Sequence, residues 1–436
     1  MRVLLASDHF PPRAPGGAEW SIEALAELLA PRLERLVVAV VADGVEEKER
    51  RGALEVVRFR GPRLMGGENG RSRAWVMANP WFTLRTAARL RRLARRTRVD
   101  LVHAQSHGVL PAACLAAGSL GLPIVATLRD TRTLCEPAVC LHRRARVPDD
   151  CGHTKLLSAC VDEFLDLAGA PPGRLRRLRQ KGIFSWLWID NRWRWWCLRR
   201  CDAVVSVSAG LLEVYRSRGL LDARRSQLRV VPTVPPARPP DAEARRRRTR
   251  ERLDLDGRPV ALYLGKHSPG KGTPCLRRAW EEVFRRLPRA LLLLAGDSHP
   301  DPGQPGVRIL GSVPHEEALD LILAADLIVS PSVGPEALAR ALVEAAGLGT
   351  PVIGTRSGGT PEIVRDGENG LLVDRGDAAA LAAALERMLA DKALRERFAA
   401  SQRRLSTSTL SSDSIGEAHL DLYRSLCAGL RSKAAP

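Results

Sequence analysis

The sequence predicts an α/β protein of two doubly wound domains, and three observations lead there. Short apolar runs rich in Val, Leu and Ile alternate with amphipathic segments from the first residues onward. The alternation stops at a proline-rich stretch and then starts again. The chain has 436 residues, more than one hydrophobic core ordinarily serves.

In the first half, "RVLLAS" (2–7), "RLVVAVVA" (35–42), "LEVVRF" (54–59), "DLVHAQ" (100–105), "PIVATL" (123–128) and "AVVSVS" (203–208) read as strands. They are short and show little polar alternation, as strands covered on both faces do. Between them, "GAEWSIEALAELLAPRLE" (17–34) and "FTLRTAARLRRLARRT" (82–97) read as helices. Residues 230–257 are proline-rich and then basic, which reads as a linker entering a helix. The pattern resumes with "PVALYLG" (259–265), "ALLLLAG" (290–296), "VRILG" (307–311), "LIVSPS" (327–332), "PVIGT" (351–355) and "GLLV" (370–373). This places the domains at 1–236 and 237–412, with a helix at about 413–432 returning to the first. Ligands of such sheets sit beyond the carboxyl ends of the strands, and a cleft between two facing domains is the expected site.

Hydrophobic residues make up 45% of the chain, which excludes a disordered protein. The net charge of +19 points to an anionic partner: nucleic acid, an anionic membrane face or a phosphorylated substrate. A merely solvated basic surface is the alternative. Nine irregularly spaced cysteines read as reduced thiols. The first residues read as a strand and its loop rather than a signal peptide. No apolar run approaches the ~18 residues that span a bilayer. The expected location is the cytoplasm, at most peripheral on the inner face of the cell membrane.

Three loops at strand ends carry the chemistry. In "PPRAPGGAEW" (11–20), Gly16 and Gly17 allow a tight turn before a helix N-terminus, which favours negative charge. The spacing is not that of a dinucleotide fingerprint, which argues against an NAD enzyme. In "LGKHSPGKG" (264–272), Lys266 and Lys271 flank a glycine turn behind Gly265 and suit a diphosphate; the spacing is not a Walker loop. In "PSVGPEALARALVEAAGLGTPVI" (331–353), Glu336 and Glu344 stand with seven residues between them. Carboxylates accept hydrogen bonds from sugar and ribose hydroxyls. The helix around Glu344 is apolar nearly all round, so that acid is not expected on a solvent face.

These stretches, with "DLVHAQSHG", "VVSVSAGLLEVY" and "GTRSGGTPEIVRDGENGLLV", resemble a retaining glycosyltransferase of family four, the group-one class. The resemblance covers nearly the whole chain. It implies the GT-B fold, two Rossmann-like domains facing a central cleft. It implies transfer of a sugar from a nucleoside-diphosphate sugar to a lipid-linked or saccharide acceptor, in polysaccharide or glycolipid synthesis. Glu336 would then contact the donor sugar, Glu344 the ribose, and Lys266 and Lys271 the diphosphate. Gly16 and Gly17 would lie near donor and acceptor. The donor side would also include Ala339 and Arg340, where the family pattern differs. His103 would start a His-x-His motif whose second position here is Gln105, with His107 nearby. Arg129-Asp130 replaces the family's His-Asp. These departures leave open a degenerate sugar-nucleotide-binding protein without transfer. The lysines would stabilise charge growing on the leaving phosphate, and neither cofactor nor metal is expected.

Two features stand outside the motifs. Cys135, Cys140, Cys151 and Cys160, with His142 and His153, lack paired spacing and read as buried thiols, with zinc as the alternative. Residues 174–200 hold five of the nine tryptophans among arginines, and 79–96 form a second basic helix. Both suit an anionic membrane surface; a core helix is the other reading of the first, and nucleic acid is not expected.

Overall fold

The computed structural model describes the chain apart from residues 15, 42–45, 61–77, 136–151, 168–172, 298–299, 301–302 and 435–436. The residues form two compact units. One takes the chain up to Pro232 and again from Asp413, and the other is Thr233–Ser412.

The first unit is built on an eight-stranded sheet: β1 (Arg2–Ser7), β2 (Arg35–Val40), β3 (Glu47–Arg51), β4 (Leu54–Arg58), β5 (Leu101–Ala104), β6 (Ile124–Leu128), β7 (Ala203–Ser206) and β8 (Gln227–Val230). The order is β3-β4-β2-β1-β5-β6-β7-β8, and only the β3–β4 pair is antiparallel. The apolar runs supply the six inner strands. The two edge strands escape the apolar pattern because their residues face solvent: β3 reads Glu-Lys-Glu-Arg-Arg and is mostly exposed. A charged edge blocks pairing with another sheet. The helix Ser412–Ala434 belongs to this unit and buries Leu420 and Tyr423 there.

The second unit has six parallel strands: β9 (Val260–Leu264), β10 (Leu291–Ala295), β11 (Val307–Gly311), β12 (Leu327–Ser330), β13 (Val352–Thr355) and β14 (Gly370–Val373), in the order β11-β10-β9-β12-β13-β14. Successive residues of one strand enter two different cores. Ala261 and Tyr263 pack with Trp280, Leu385 and Phe398, while Val260 and Leu262 pack with Leu321, Leu342 and Leu348. That double burial is why the strands read as unbroken apolar runs.

The basic run of residues 242–252 is a helix of this unit, Ala242–Arg252, and much of its charge is spent internally. Arg246 donates to the carbonyls of Leu323 and Ala325 and pairs with Asp326 at 2.8 Å. Arg250 donates to the carbonyls of Ala324, Leu255 and Arg258. These guanidinium groups satisfy the carboxyl end of the neighbouring helix His315–Ala324, whose last carbonyls lack helical partners.

Candidate functional site

In the second unit β9 and β12 are adjacent in the sheet but far apart in sequence, and the sheet grows outward from them in opposite directions, through β10 on one side and β13 on the other. Their carboxyl ends mark the switch point where an open α/β sheet takes ligands. The loop after β9 carries Gly265, Lys266 and Lys271, and the loop after β12 carries Glu336. The two are stitched together: Val333 N and Gly334 N both donate to Gly270 O, at 2.9 and 3.0 Å. Gly272 adopts φ +74°, and a Cβ there would stand 1.8 Å from Pro331 O. The glycine serves contact between loops rather than approach to a ligand.

Lys271 Nζ reaches Glu336 Oε2 at 2.6 Å, and Ser332 Oγ donates to the same oxygen at 2.9 Å. Burial pushes the Glu336 carboxyl up, but the Lys271 ammonium and the Ser332 hydroxyl outweigh it and hold the group below the usual value of 4.5. Glu336 N–H donates to Ser357 Oγ at 3.2 Å, and Gly359 N–H donates to Glu336 O at 2.9 Å. Three loops therefore fix one carboxylate and one ammonium. Lys266 is exposed on the same loop as Lys271, and Tyr263 Oη donates to its carbonyl at 3.0 Å.

The helix expected to open beside Glu336 begins later, at Arg340, with Ala339 as its N-cap. Pro335 disfavours helical geometry in the residue before it, which keeps this stretch a loop. Glu344 lies inside the helix, only 3% exposed, and its Oε1 is held by Arg340 Nε at 2.8 Å and His315 Nε2 at 2.7 Å. Arg340 also donates to Val234 O at 2.7 Å. The two glutamates thus have separate cationic partners, and His315 is a member of the cluster that the sequence did not single out.

In the first unit the switch point falls between β1 and β5. Gly16 has φ −171°, extended backbone open to any residue, and a Cβ there would meet Glu19 Oε2 at an ordinary 3.7 Å. The turn itself does not require that glycine. Arg58, only 2% exposed, donates to the carbonyls of Phe10 and Pro11 and anchors the loop after β1. His103 differs from its expected place among substrate-contacting residues. It is 0% exposed, with Nδ1 2.7 Å from the Tyr423 hydroxyl and Nε2 2.7 Å from the Thr127 hydroxyl. The motif's start points inward because Tyr423 of the C-terminal helix claims it. Gln105 is also buried, and its Oε1 accepts from Arg129 Nη2 at 2.6 Å. His107 Nδ1 stands 4.0 Å from Asp130 Oδ2.

Burial, with His419 and Arg129 nearby, drives His103 well below the usual 6.5, and burial drives His419 down to about 4. Both histidines are neutral in the folded protein near pH 7 but bind protons more readily when unfolded. The stability they carry is complete above the unfolded value and is lost as pH falls toward the folded one. Between pH 6.5 and about 4 the first unit is expected to lose stability progressively, by about 1.4 kcal/mol per unit of depression. Thermal unfolding of wild type and His419→Phe across that window checks this, with a flatter acid limb in the variant.

Among the described residues no group of three His, Cys, Asp or Glu side chains is placed to hold a metal ion, and the seven described cysteines are free thiols. Cys140, His142 and Cys151 lie outside the described residues. No described helix is long and apolar enough to cross a membrane. The two basic helices are Pro80–Thr97 and Arg174–Leu198. Trp81 (75% exposed), Leu84, Leu175, Leu178, Ile189 and Trp196 all face solvent on them.

Residues 15–234 match the family model described as Glycosyltransferase Family 4, and residues 258–391 match the model described as Glycosyl transferases group 1. The alpha-D-kanosaminyltransferase of Streptomyces kanamyceticus is 29% identical over 239 residues, which is 52% of this chain and 62% of that protein. The GDP-mannose-dependent alpha-(1-6)-phosphatidylinositol monomannoside mannosyltransferase of Mycolicibacterium smegmatis is 36% identical over 168 residues, 35% of this chain and 44% of that protein. The chain thus spans about half the length of such relatives. Among solved structures, Anabaena HepE in complex with UDP-glucose aligns with a TM-score of 0.65 at 19% identity, covering 98% of this chain and 100% of that one. Sucrose-phosphate synthase from Thermosynechococcus elongatus gives 0.69 at 21% identity, covering 98% and 99%.

Proposed function

The chain belongs to glycosyltransferase family 4 and has the GT-B fold, and on that premise we propose that it moves a sugar from a nucleoside-diphosphate sugar to a lipid-linked or saccharide acceptor, with retention at the anomeric carbon. The observation that carries this reading is the Lys271–Glu336 pair, fixed by three loops at the switch point of the second unit. A solved structure of the same fold, Anabaena HepE, holds UDP-glucose, which supports a sugar nucleotide as the donor class. The phosphatidylinositol monomannoside mannosyltransferase relative supports a lipid-linked or saccharide acceptor.

In this reading Lys266 and Lys271 face the donor diphosphate, Glu336 the donor sugar and Glu344 the ribose. Arg340 and His315 orient Glu344 through its Oε1. The bond from the anomeric carbon to the diphosphate breaks while the acceptor oxygen bonds to the same face. The acceptor proton passes to the departing phosphate. The lysines stabilise the negative charge that grows there, and the step calls for no metal ion or cofactor. Gly16 and Gly17 lie near donor and acceptor, and Gln105, His107 and Asp130 serve the acceptor side. His103 acts on them indirectly, through its contact with Gln105.

The exposed tryptophans and leucines of the two basic helices support attachment to an anionic membrane surface on the cytoplasmic side. Trp186 Nε1 donates to Ala78 O at 3.2 Å, which sets the start of one helix beside the middle of the other.

A thermal-shift panel of nucleoside-diphosphate sugars tests the donor. A ligand at a hundredfold excess over its Kd adds about 2.7 kcal/mol of stability, and the rise is expected for one base and sugar above the rest. No shift with any sugar nucleotide refutes the reading. A shift without transfer to any acceptor would leave a binding protein of the same fold.

A further inference from the structure

The helix Arg174–Leu198 has an outer and an inner face that touch different things. At 100° per residue, Leu175, Leu178, Ile189 and Trp196 fall within a sector about 60° wide, and all four are exposed, Leu175 by 85%. Arg174, Lys181, Arg192 and Arg199 border that stripe along one side. An apolar stripe edged by cations fits a lipid surface with anionic headgroups. Leucine and isoleucine offer a nucleic acid nothing to stack upon.

The inner face grips the loops of the acceptor side. Arg194, only 1% exposed, pairs with Asp190 at 2.6 Å and donates from Nη1 to His107 O at 2.8 Å. Trp195 Nε1 donates to Thr133 O at 2.7 Å. His107 lies in the loop after β5 with Gln105, and Thr133 lies in the loop after β6 with Arg129 and Asp130. The Arg192 guanidinium sits 5.1 Å from the rings of both Trp188 and Trp195, so the border of the outer stripe is stacked on the residue that holds Thr133.

We infer that this helix is a coupling element: seating its outer stripe on an anionic lipid surface sets the loops after β5 and β6 through Arg194 and Trp195. The inference rests on the transferase reading for what those loops do. A helix moves as one body, and its shift is passed on by whatever is hydrogen-bonded to it. Arg194 and Trp195 are positioning residues here, since each donates to a backbone carbonyl of its loop.

The test uses the full chain with vesicles of equimolar phosphatidylglycerol and phosphatidylcholine, against phosphatidylcholine alone. Cosedimentation reads binding, amide hydrogen exchange reads the segments 105–110 and 129–135, and release of nucleoside diphosphate reads turnover. The wild type is expected to bind the anionic vesicles, to exchange more slowly in both segments, and to turn over about fivefold faster or more, the lower range of ordinary coupling. Arg194→Met alone would strand the buried Asp190, so the variants are Asp190→Leu/Arg194→Met, which removes both charges, and Trp195→Phe, which keeps the ring. Both are expected to sediment as the wild type does and to lose the slowed exchange, each in the segment it holds. The inference is overturned if the wild type fails to bind, if it binds without slowed exchange, if the variants respond as the wild type, or if lipid-free polyphosphate gives the same response. Slowed exchange without any transfer sinks the transferase reading and leaves the coupling standing.

Discussion

Lys271→Ala is expected to lower donor kcat/KM on the order of a hundredfold to a thousandfold, the usual loss when one preorganised group facing developing negative charge is removed. The fold should scarcely notice. The Lys271 side chain is 47% exposed, and a pair open to solvent on one side contributes little to stability once screening is counted. Removing the ammonium has a second consequence. Burial alone pushes the Glu336 carboxyl up, and Lys271 is the main influence holding it down. In the variant the carboxyl rises, so residual activity should fade at a higher pH on the acid side than in the wild type. Glu336→Gln should cost a similar factor while keeping the contact with Ser332. The double variant should fall little below the weaker single one, because the two groups act as a unit. Turnover within a factor of about two of wild type in Lys271→Ala would end the assignment. So would a loss of activity that merely tracks a loss of folded protein in a thermal melt.

That pair also shows where sequence reasoning works and where it stops. Each partner was legible alone, Lys271 from a glycine turn after a strand and Glu336 from a loop after another. Their union across 65 residues follows from a strand order that puts β9 beside β12. All six strands of the second unit were legible: five bury nearly every residue, as Val260 and Ala261 do in two different cores, while the half-buried edge strand β11 kept enough apolar residues to be read. β3 and β8 were not, since exposed edge strands lose the apolar signal. The charge reading failed in part for the same kind of reason. The arginines of residues 242–252 look free in the sequence, yet Arg246 and Arg250 are bound to carbonyls that only the fold supplies. His103 was legible only as the start of the His-x-His motif that the resemblance implies, and its direction is decided by Tyr423, 320 residues away. His315 resembles any residue at a helix start until the fold sets it against Glu344.

Gly358→Ala is expected to reduce transfer about a hundredfold without touching any group that meets substrate, the loss that follows from a misplacement of about 1 Å. The glycine sits at φ +50°, and a Cβ there would stand 1.7 Å from Glu336 O and 2.7 Å from Glu336 C. Those are backbone atoms, so no side chain can swing aside. The loop holding Glu336 must move, and Gly359 N–H loses its 2.9 Å contact with Glu336 O as it does. Left-handed strain alone costs roughly 1–2 kcal/mol, so a matched control is needed to separate strain from displacement. Gly367 provides it, with φ +76° and nothing within 4 Å of a built Cβ. Gly367→Ala should lower the melting temperature by an amount set by that strain while leaving kcat/KM near the wild-type value. Gly358→Ala should lower both. If the two variants lose activity equally, backbone strain in this unit governs turnover, and the placement of Glu336 by the loop after β13 does not. If Gly358→Ala keeps full activity, the Glu336 carbonyl is not the fixed point that the three loops make of it.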